Sequence, residues 1–73
     1  MEATIIRNKI PGILAARKMS ISDLQRESRL SWPSTYKVAT LPVFPDTLNI
    51  GTLRRAAEAL KLPVGDVVEF SEE

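Results

Sequence analysis

The residues of this chain that could take part in chemistry are hydrogen-bond donors and cations. The 73 residues include no histidine and no cysteine, so the usual base of a hydrolytic triad and the usual transition-metal ligands are missing. The carboxylates follow no motif that would pair two of them at one site, and each is explained as a helix cap or a solvated surface charge. They are Asp23, Glu27, Asp46, Glu58, Asp66 and Glu69. We therefore expect non-covalent binding without a cofactor or metal, and not an enzyme.

The polar side chains with the most binding potential lie in one stretch of the first half of the chain. Ser20 precedes a helical pattern and Asp23 follows three residues later, as in a capping box. Ser31 is a second candidate cap, and Pro33 suits the first turn of the next helix. Two short helices joined by a tight turn at residues 29–30 predict a helix-turn-helix, whose second helix can enter the major groove of DNA.

The elements that must position this stretch are also predicted to be helical. Asn8 would cap a first helix, Asn49 a fourth, and Val64, Val67 and Val68 would lie in a short fifth helix. Residues 4–6 are expected to be extended, and residues 72–73 to form a frayed tail. The expected core side chains are Ile10, Ile13, Leu14, Ile21, Leu24, Leu30, Thr35, Val38, Ile50, Leu53, Ala57 and Leu60.

Length and composition predict one domain over residues 1–73, with its core at about 6–70 and the helix-turn-helix at about 20–40. Apolar residues make up 44% of the chain, which favours a globular protein over a disordered one. No apolar run is long enough for a membrane span, and no signal-peptide pattern is visible. With no cysteine to suggest an oxidising compartment, we expect a cytoplasmic protein that does not interact with membranes.

Charge is unevenly distributed along the chain. Residues 1–44 hold seven basic and three acidic side chains, a net charge of +4, whereas residues 45–73 hold three basic and six acidic ones, a net charge of −3. A basic N-terminal part and an acidic C-terminal part suit a protein that binds a polyanion with one face. In a chain this short, ordinary scatter of surface charge is the alternative explanation.

The order and spacing of these elements resemble the phage-repressor/Cro family, also called the XRE family. The resemblance spans residues 6–70 and includes Met19-Ser-Ile-Ser-Asp-Leu24 and the closing Leu62-Pro-Val-Gly-Asp66. Further matching positions are residues 6–10, 27–28, 30–31, 34, 36, 38–40, 52–53 and 59–60. The resemblance implies an all-α, five-helix, lambda-repressor-like bundle that binds operator DNA and regulates transcription, usually as a dimer.

The chain differs from the family pattern at several positions. The family favours glutamine where this chain has Ile21, alanine where it has Gln25, glycine where it has Arg29, and an aliphatic residue where it has Thr35. An arginine in the turn must either adopt a positive φ or distort the turn. The loop after the third helix, polar and basic in the family, is apolar here at residues 41–44.

The resemblance implies that the start of the third helix reaches base edges. The candidates are Trp32, Pro33, Ser34, Tyr36 and Lys37. Lys37 could donate to guanine or hold a phosphate, and Trp32 could press on a thymine methyl group. The alternatives are a solvated lysine, a serine on plain helix surface, and aromatic rings that pack on the protein or across a dimer contact.

Phosphate contacts are expected from the start of the second helix and from nearby cations. Backbone N–H groups at a helix start bind anions, and basic side chains attract the DNA backbone in general. The candidates are Ser20, Ile21, Ser22, Arg17, Lys18, Arg26, Arg29 and Thr40. For any one of the basic residues, the alternative is a solubilising surface charge.

Apolar residues outside the predicted stripes suggest a homodimer. The candidates are Val43, Phe44, Val67, Val68 and Phe70. An exposed apolar patch of this kind commonly marks an interface, although both phenylalanines could instead fold back onto the small core.

The sequence thus predicts a small repressor that binds double-stranded DNA in the major groove, takes no evident small-molecule ligand and acts by occupying an operator. The alternative is a protein-interaction module, or an antitoxin-like accessory factor, that keeps the fold but reads DNA weakly or not at all. Trp32, Pro33 and Ile21 would suit a partner surface, so the two interpretations differ in the expected retention on heparin and its decline with salt.

Overall fold

The computed structural model describes residues 4–45 and 47–72. In chain order the elements are β1 (Thr4–Asn8), α1 (Ile10–Arg17), α2 (Ile21–Ser28), α3 (Trp32–Thr40), α4 (Ile50–Ala59), α5 (Val64–Val67) and β2 (Val68–Glu72). None of the helices in this part of the chain is long and apolar enough to cross a bilayer. The mainly helical character predicted from the sequence is confirmed.

Side-chain caps fix where the middle helices begin. At α2, the Ser20 hydroxyl accepts from the Asp23 backbone N–H while the Asp23 carboxylate accepts from the Ser20 N–H, both at 3.0 Å. Ser31 caps α3, and the Asn49 side chain accepts from the N–H of Gly51 at 2.7 Å at the start of α4. These three caps were predicted because serine and asparagine side chains can accept from the free N–H groups of a first turn.

A small antiparallel sheet corrects the expectation of an all-α fold. β1 pairs with β2 in a register that places Ile6 opposite Phe70 and Arg7 opposite Glu69. The loop after α3 lies along the other edge of β1, where the Phe44 N–H donates to the carbonyl of Ile6 at 2.8 Å. The extended segment expected at residues 4–6 is therefore one strand of a pair.

The second strand changes two further expectations at the C-terminal end. Val68 does not continue α5 but begins β2, because its φ of −131° and ψ of 158° are extended. Glu72 is the last residue of the same strand and not part of a frayed tail. Glu73, the other residue of the expected tail, lies outside the described part of the chain.

The core lies between the helices and the inner face of the sheet. It consists of Ile10, Leu14, Leu24, Leu30, Val38, Ala39, Phe44, Leu53, Ala56, Ala57, Leu60, Val67 and Val68. Ile13 and Ile21 are half-buried against it, and Thr35 is fully buried. Ile50 is an incorrect prediction: it is 69% exposed, and Leu48, before the cap, packs against the core at this end of α4 instead.

Candidate nucleic-acid interface

The turn between α2 and α3 sets the direction of α3. Arg29 has a φ of 59°, and its N–H donates to the carbonyl of Gln25 at 2.9 Å, which ends α2. The Gln25 side chain donates to the carbonyl of Leu30 at 2.8 Å, and the buried Ser28 hydroxyl accepts from the Leu30 N–H at 3.3 Å. Of the two outcomes that the sequence left open, the arginine adopts the positive φ, and the turn is closed by two neighbouring polar side chains.

Asn8 ties the far end of α3 to the start of α1. Its Nδ2 donates to the carbonyls of Val38 and Leu41, at 2.7 and 2.8 Å, while its Oδ1 accepts from the N–H of Ile10 at 2.9 Å. Asn8 was predicted to occupy the cap position of α1, but that position belongs to Lys9. Asn8 precedes it by one residue and still accepts from the first N–H of the helix. Its contacts with α3 are 30 or more residues away in sequence, which is why the sequence indicated only the local half of its role.

One side of α3 is held in the core and the other is free. Thr35, Val38 and Ala39 are buried. The Thr35 hydroxyl donates to the carbonyl of Ser31 at 2.9 Å, and this bond lets a polar side chain occupy a buried position where the family favours an aliphatic one. The outward face of α3 is formed by the exposed residues Trp32, Pro33, Tyr36, Lys37 and Thr40. Four of the five base-edge candidates lie on it, and the fifth, Ser34, is half-buried beside it.

Two of the polar side chains on α3 are engaged locally. The Ser31 hydroxyl donates to the Ser34 hydroxyl at 3.0 Å and accepts from the Ser34 N–H at 3.3 Å. The Thr40 hydroxyl donates to the carbonyl of Tyr36 at 2.6 Å. These bonds leave the Lys37 ammonium, the Tyr36 hydroxyl and the Trp32 indole N–H as the donors of the outward face of α3 that the helix itself does not use.

The aromatic residues lie side by side on this surface. Trp32 and Tyr36 are 50% and 51% exposed, their ring centroids are 6.4 Å apart, and their planes are inclined at 43°. Because they are four residues apart on a helix, the two tilted rings lie along one stripe of its surface. The alternative in which these rings pack into the protein does not fit half of each side chain remaining in solvent.

The start of α2 combines free backbone donors with a carboxylate. The capping box uses the N–H groups of Ser20 and Asp23, and those of Ile21 and Ser22 have no partner among the described hydrogen bonds. The pKa of Asp23 is lowered below its ordinary value of 3.8, chiefly by the hydrogen bond from the Ser20 backbone, then by the Ser20 side chain and nearby Arg26. A phosphate here would meet two N–H groups and one anion.

The basic candidates differ in how free they are. Arg26 pairs with Asp23 at 2.6 Å, and the Arg17 guanidinium donates to the carbonyl of Leu60 at 2.7 Å, which holds the end of α4. Lys18 ends α1 with a φ of 55° and is exposed, as is Arg29. Arg17 therefore has a structural contact that the sequence did not reveal, because its partner is 43 residues away.

A recess of mixed polarity beside α3 was missed by the sequence interpretation. Its polar lining comes from Ser34 and Lys37 of α3 and from Thr47, Asn49 and Thr52 at the start of α4 and the loop before it, and its apolar lining is Leu41, Pro45 and Leu48. A cap asparagine and two threonines carry no signal of their own. Only the packing of α4 against α3 brings them beside Lys37.

The dimer candidates are divided by burial. Phe44, Val67 and Val68 are each at most 4% exposed, so they are core residues and cannot meet a partner. Their burial in the hydrophobic core corrects that part of the expectation. Val43 and Phe70 remain exposed, at 38% and 66%.

Residues 4–45 and 47–72 contain no cluster of three or more histidine, cysteine or carboxylate side chains that could hold a metal ion. The geometry of this part of the chain instead presents a helix surface with a cation, two aromatic rings and flanking backbone donors.

Comparison with known proteins agrees with this arrangement. The family model for the Cro/C1-type HTH DNA-binding domain matches residues 9–73, which include all five helices and the second strand. No curated protein and no solved structure that was compared matches the chain. The match covers most of the chain, and the chain therefore belongs to the Cro/C1-type helix-turn-helix DNA-binding domain family.

Proposed function

We propose that this protein is a transcriptional repressor that recognises an operator in double-stranded DNA through the outward face of α3. The observation that carries the proposal is the presentation of that face. Buried Thr35, Val38 and Ala39 hold the helix on one side, and Lys37 and two aromatic rings face solvent on the other. A helix held in this way can be inserted into the major groove without rearrangement of its neighbours.

Phosphate contacts would fix the register of α3 on the duplex. The free N–H groups of Ile21 and Ser22 point to one such contact, and the polar side chains of Asn49 and Thr52 in the recess beside Lys37 point to another. Exposed Lys18 and Arg29 add general attraction. Contacts of this kind position a protein without reading sequence, so specificity must come from α3.

The protein would act as a homodimer. A helix of nine residues reaches only a few base pairs, and two copies would read half-sites about 34 Å apart. Phe70 supports this, because it lies two-thirds exposed on β2, a strand that pairs only with β1 within the described residues. A second copy that covers Phe70 would bury apolar surface and place two α3 helices on one DNA molecule.

Selection of bound duplexes from a random DNA pool tests the proposal. We expect a consensus with two related half-sites, and an affinity for it at least a thousandfold above that for random DNA. Affinity should also fall steeply between low and moderate salt. In transcription assays, a consensus placed across a promoter should lower transcript yield, whereas a scrambled site at the same position should not.

A protein-interaction module is the second candidate, because Trp32 and Tyr36 expose more apolar ring than a surface helix requires. In that case the protein would not be retained on heparin at low salt, and selection would return no consensus. Heparin retention and duplex selection, measured on one preparation of the protein, therefore distinguish the two functions.

A further inference from the structure

The chemical character of the outward face of α3 restricts which base pairs it can recognise. The sequence of α3, WPSTYKVAT, includes no asparagine, glutamine or arginine and no carboxylate. Asparagine and glutamine form paired hydrogen bonds with adenine, arginine forms them with guanine, and carboxylates accept from cytosine in the major groove. Of the side chains that can bond both guanine acceptors, this helix has only Lys37, and the rest of the polar code is available to it through single hydrogen bonds.

Hydrogen bonds within the protein reduce the polar groups further. The Ser34 hydroxyl accepts from the hydroxyl of Ser31 and is half-buried, and the Thr40 hydroxyl proton is directed to the carbonyl of Tyr36. Lys37 is the one charged side chain of α3. It can mark a guanine or a phosphate, but it cannot specify a half-site alone.

Most of the remaining surface is apolar. Trp32 and Tyr36 form a continuous aromatic stripe, and Pro33, which has no N–H, presents only hydrocarbon beside them. The single apolar feature in the major groove of unmodified DNA is the C5-methyl group of thymine. Burial of an apolar stripe against such methyl groups makes binding more favourable. Where the stripe covers polar base edges instead, those edges lose their hydration and gain no hydrogen bond in return.

We propose that thymine methyl groups, covered by Trp32 and Tyr36, are the main determinants of the half-site. This inference depends on the proposed function. The operator would carry thymines at one or two fixed positions in each half-site, with Lys37 at an adjacent guanine or phosphate. A protein ligand is less consistent with the site, because the aromatic stripe lies beside a lysine on a helix without acidic groups, in the half of the chain with net charge +4.

Replacement of thymine by deoxyuridine tests this directly, since it removes only the methyl group and keeps the base pair. Selected duplexes would carry uracil at one thymine at a time, and affinity would be measured by fluorescence anisotropy at constant salt. We expect a three- to fivefold loss of affinity for each covered methyl group and no loss at other thymines. The preferred duplex supplies its own controls, because its flanking thymines are treated identically.

Variants connect the methyl groups to the rings. Trp32→Ala and Tyr36→Ala should weaken binding to the thymine duplex but should no longer distinguish thymine from uracil at the position each ring covers. Lys61→Ala, which shortens an exposed side chain outside α3 and outside the dimer candidates, should discriminate as the unaltered protein does. Circular dichroism would confirm that each variant is folded. The uracil series uses the unaltered protein, so it tests the inference even if a variant does not fold.

Sequence-specific binding that is indifferent to uracil throughout would overturn this inference and leave the proposed function standing. Uracil discrimination that survives both ring substitutions would overturn it as well, because other groups would then read the methyls. Failure of every selected duplex to compete with random DNA would overturn the proposed function and the inference together.

Discussion

Arg29 shows how a residue that departs from a family pattern can be accommodated. Its φ of 59° lies in the left-handed region, which costs an L-amino acid free energy that glycine does not incur. Lys18 and Lys61 end α1 and follow α4 in the same conformation. The sequence identified the strain at Arg29 because glycine is favoured there. It gave no such indication for the two lysines, which occupy ordinary helix ends.

Replacement of Arg29 by glycine should raise the free energy of unfolding by about 0.5–1 kcal/mol, since it removes the penalty of the positive φ. Thermal unfolding would show the gain as an increase of a few degrees in Tm. Arg29→Lys is the matched control and should leave Tm unchanged, because it keeps the charge and a Cβ. A glycine variant no more stable than this control would contradict the account of the turn.

Asn8 is the residue whose polar contacts do most to hold α3 against the rest of the fold. Asn8→Asp keeps the acceptor for the Ile10 N–H but places an oxygen against the carbonyls of Val38 and Leu41. We expect it to lower the free energy of unfolding by about 1–3 kcal/mol in urea titrations, at least as much as Asn8→Ala. An aspartate variant as stable as the unaltered protein would show that the two donated bonds contribute nothing.

Among the elements, the helices were more predictable than the strands. Three helices begin with caps that depend on local hydrogen bonds, made by Ser20, Ser31 and Asn49. The sequence signal for each of these caps therefore lies within three residues of the helix start. The paired residues of β1 and β2 are 60 to 68 positions apart in the sequence. Val68 follows an apolar helical pattern and gives no local sign that it begins a strand, so the change from helix to strand could not be read from the sequence.

The capping box of α2 should make stability depend on pH. The pKa of Asp23 is lowered in the folded protein, so its carboxylate stabilises the fold above its ordinary pKa of 3.8. That contribution is lost as the pH falls below 3.8 and through the lowered pKa. Urea midpoints of the unaltered protein and of Asp23→Asn should therefore differ at neutral pH and converge in acid. A constant difference down to the lowest pH at which the protein folds would contradict this account.

At the scale of the whole molecule, packing in the core decides which apolar residues are available to a partner. The sequence grouped five residues as dimer candidates, and the structure leaves Val43 and Phe70 exposed while the other three are buried in the core. Burial of this kind depends on contacts between residues far apart in the chain, such as the bonds from Phe44 to Ile6 and from Lys9 to Val67. The candidate DNA surface was more predictable, because α3 carries its own cap and its own alternation of buried and exposed positions.

Replacement of Phe70 by serine should weaken self-association at least tenfold, because each phenylalanine buried at an interface contributes about 1.5–3 kcal/mol. Sedimentation equilibrium would measure the effect. Val43→Ser removes a smaller exposed side chain and should weaken association less if the contact is centred on β2. Equal association of Phe70→Ser and the unaltered protein would exclude this strand as the dimer contact.

The central claim is that the outward face of α3 enters the DNA, and a comparison of two lysine variants tests it most directly. Lys37 lies on that face beside the start of α4, whereas Lys61, which is also exposed, follows the other end of α4. On the selected duplex, Lys37→Ala should bind about 5- to 100-fold more weakly than the unaltered protein, as the loss of a base contact predicts. Lys61→Ala should change the affinity less than twofold. Unaltered binding by Lys37→Ala, or an equal loss in both variants, would contradict the claim.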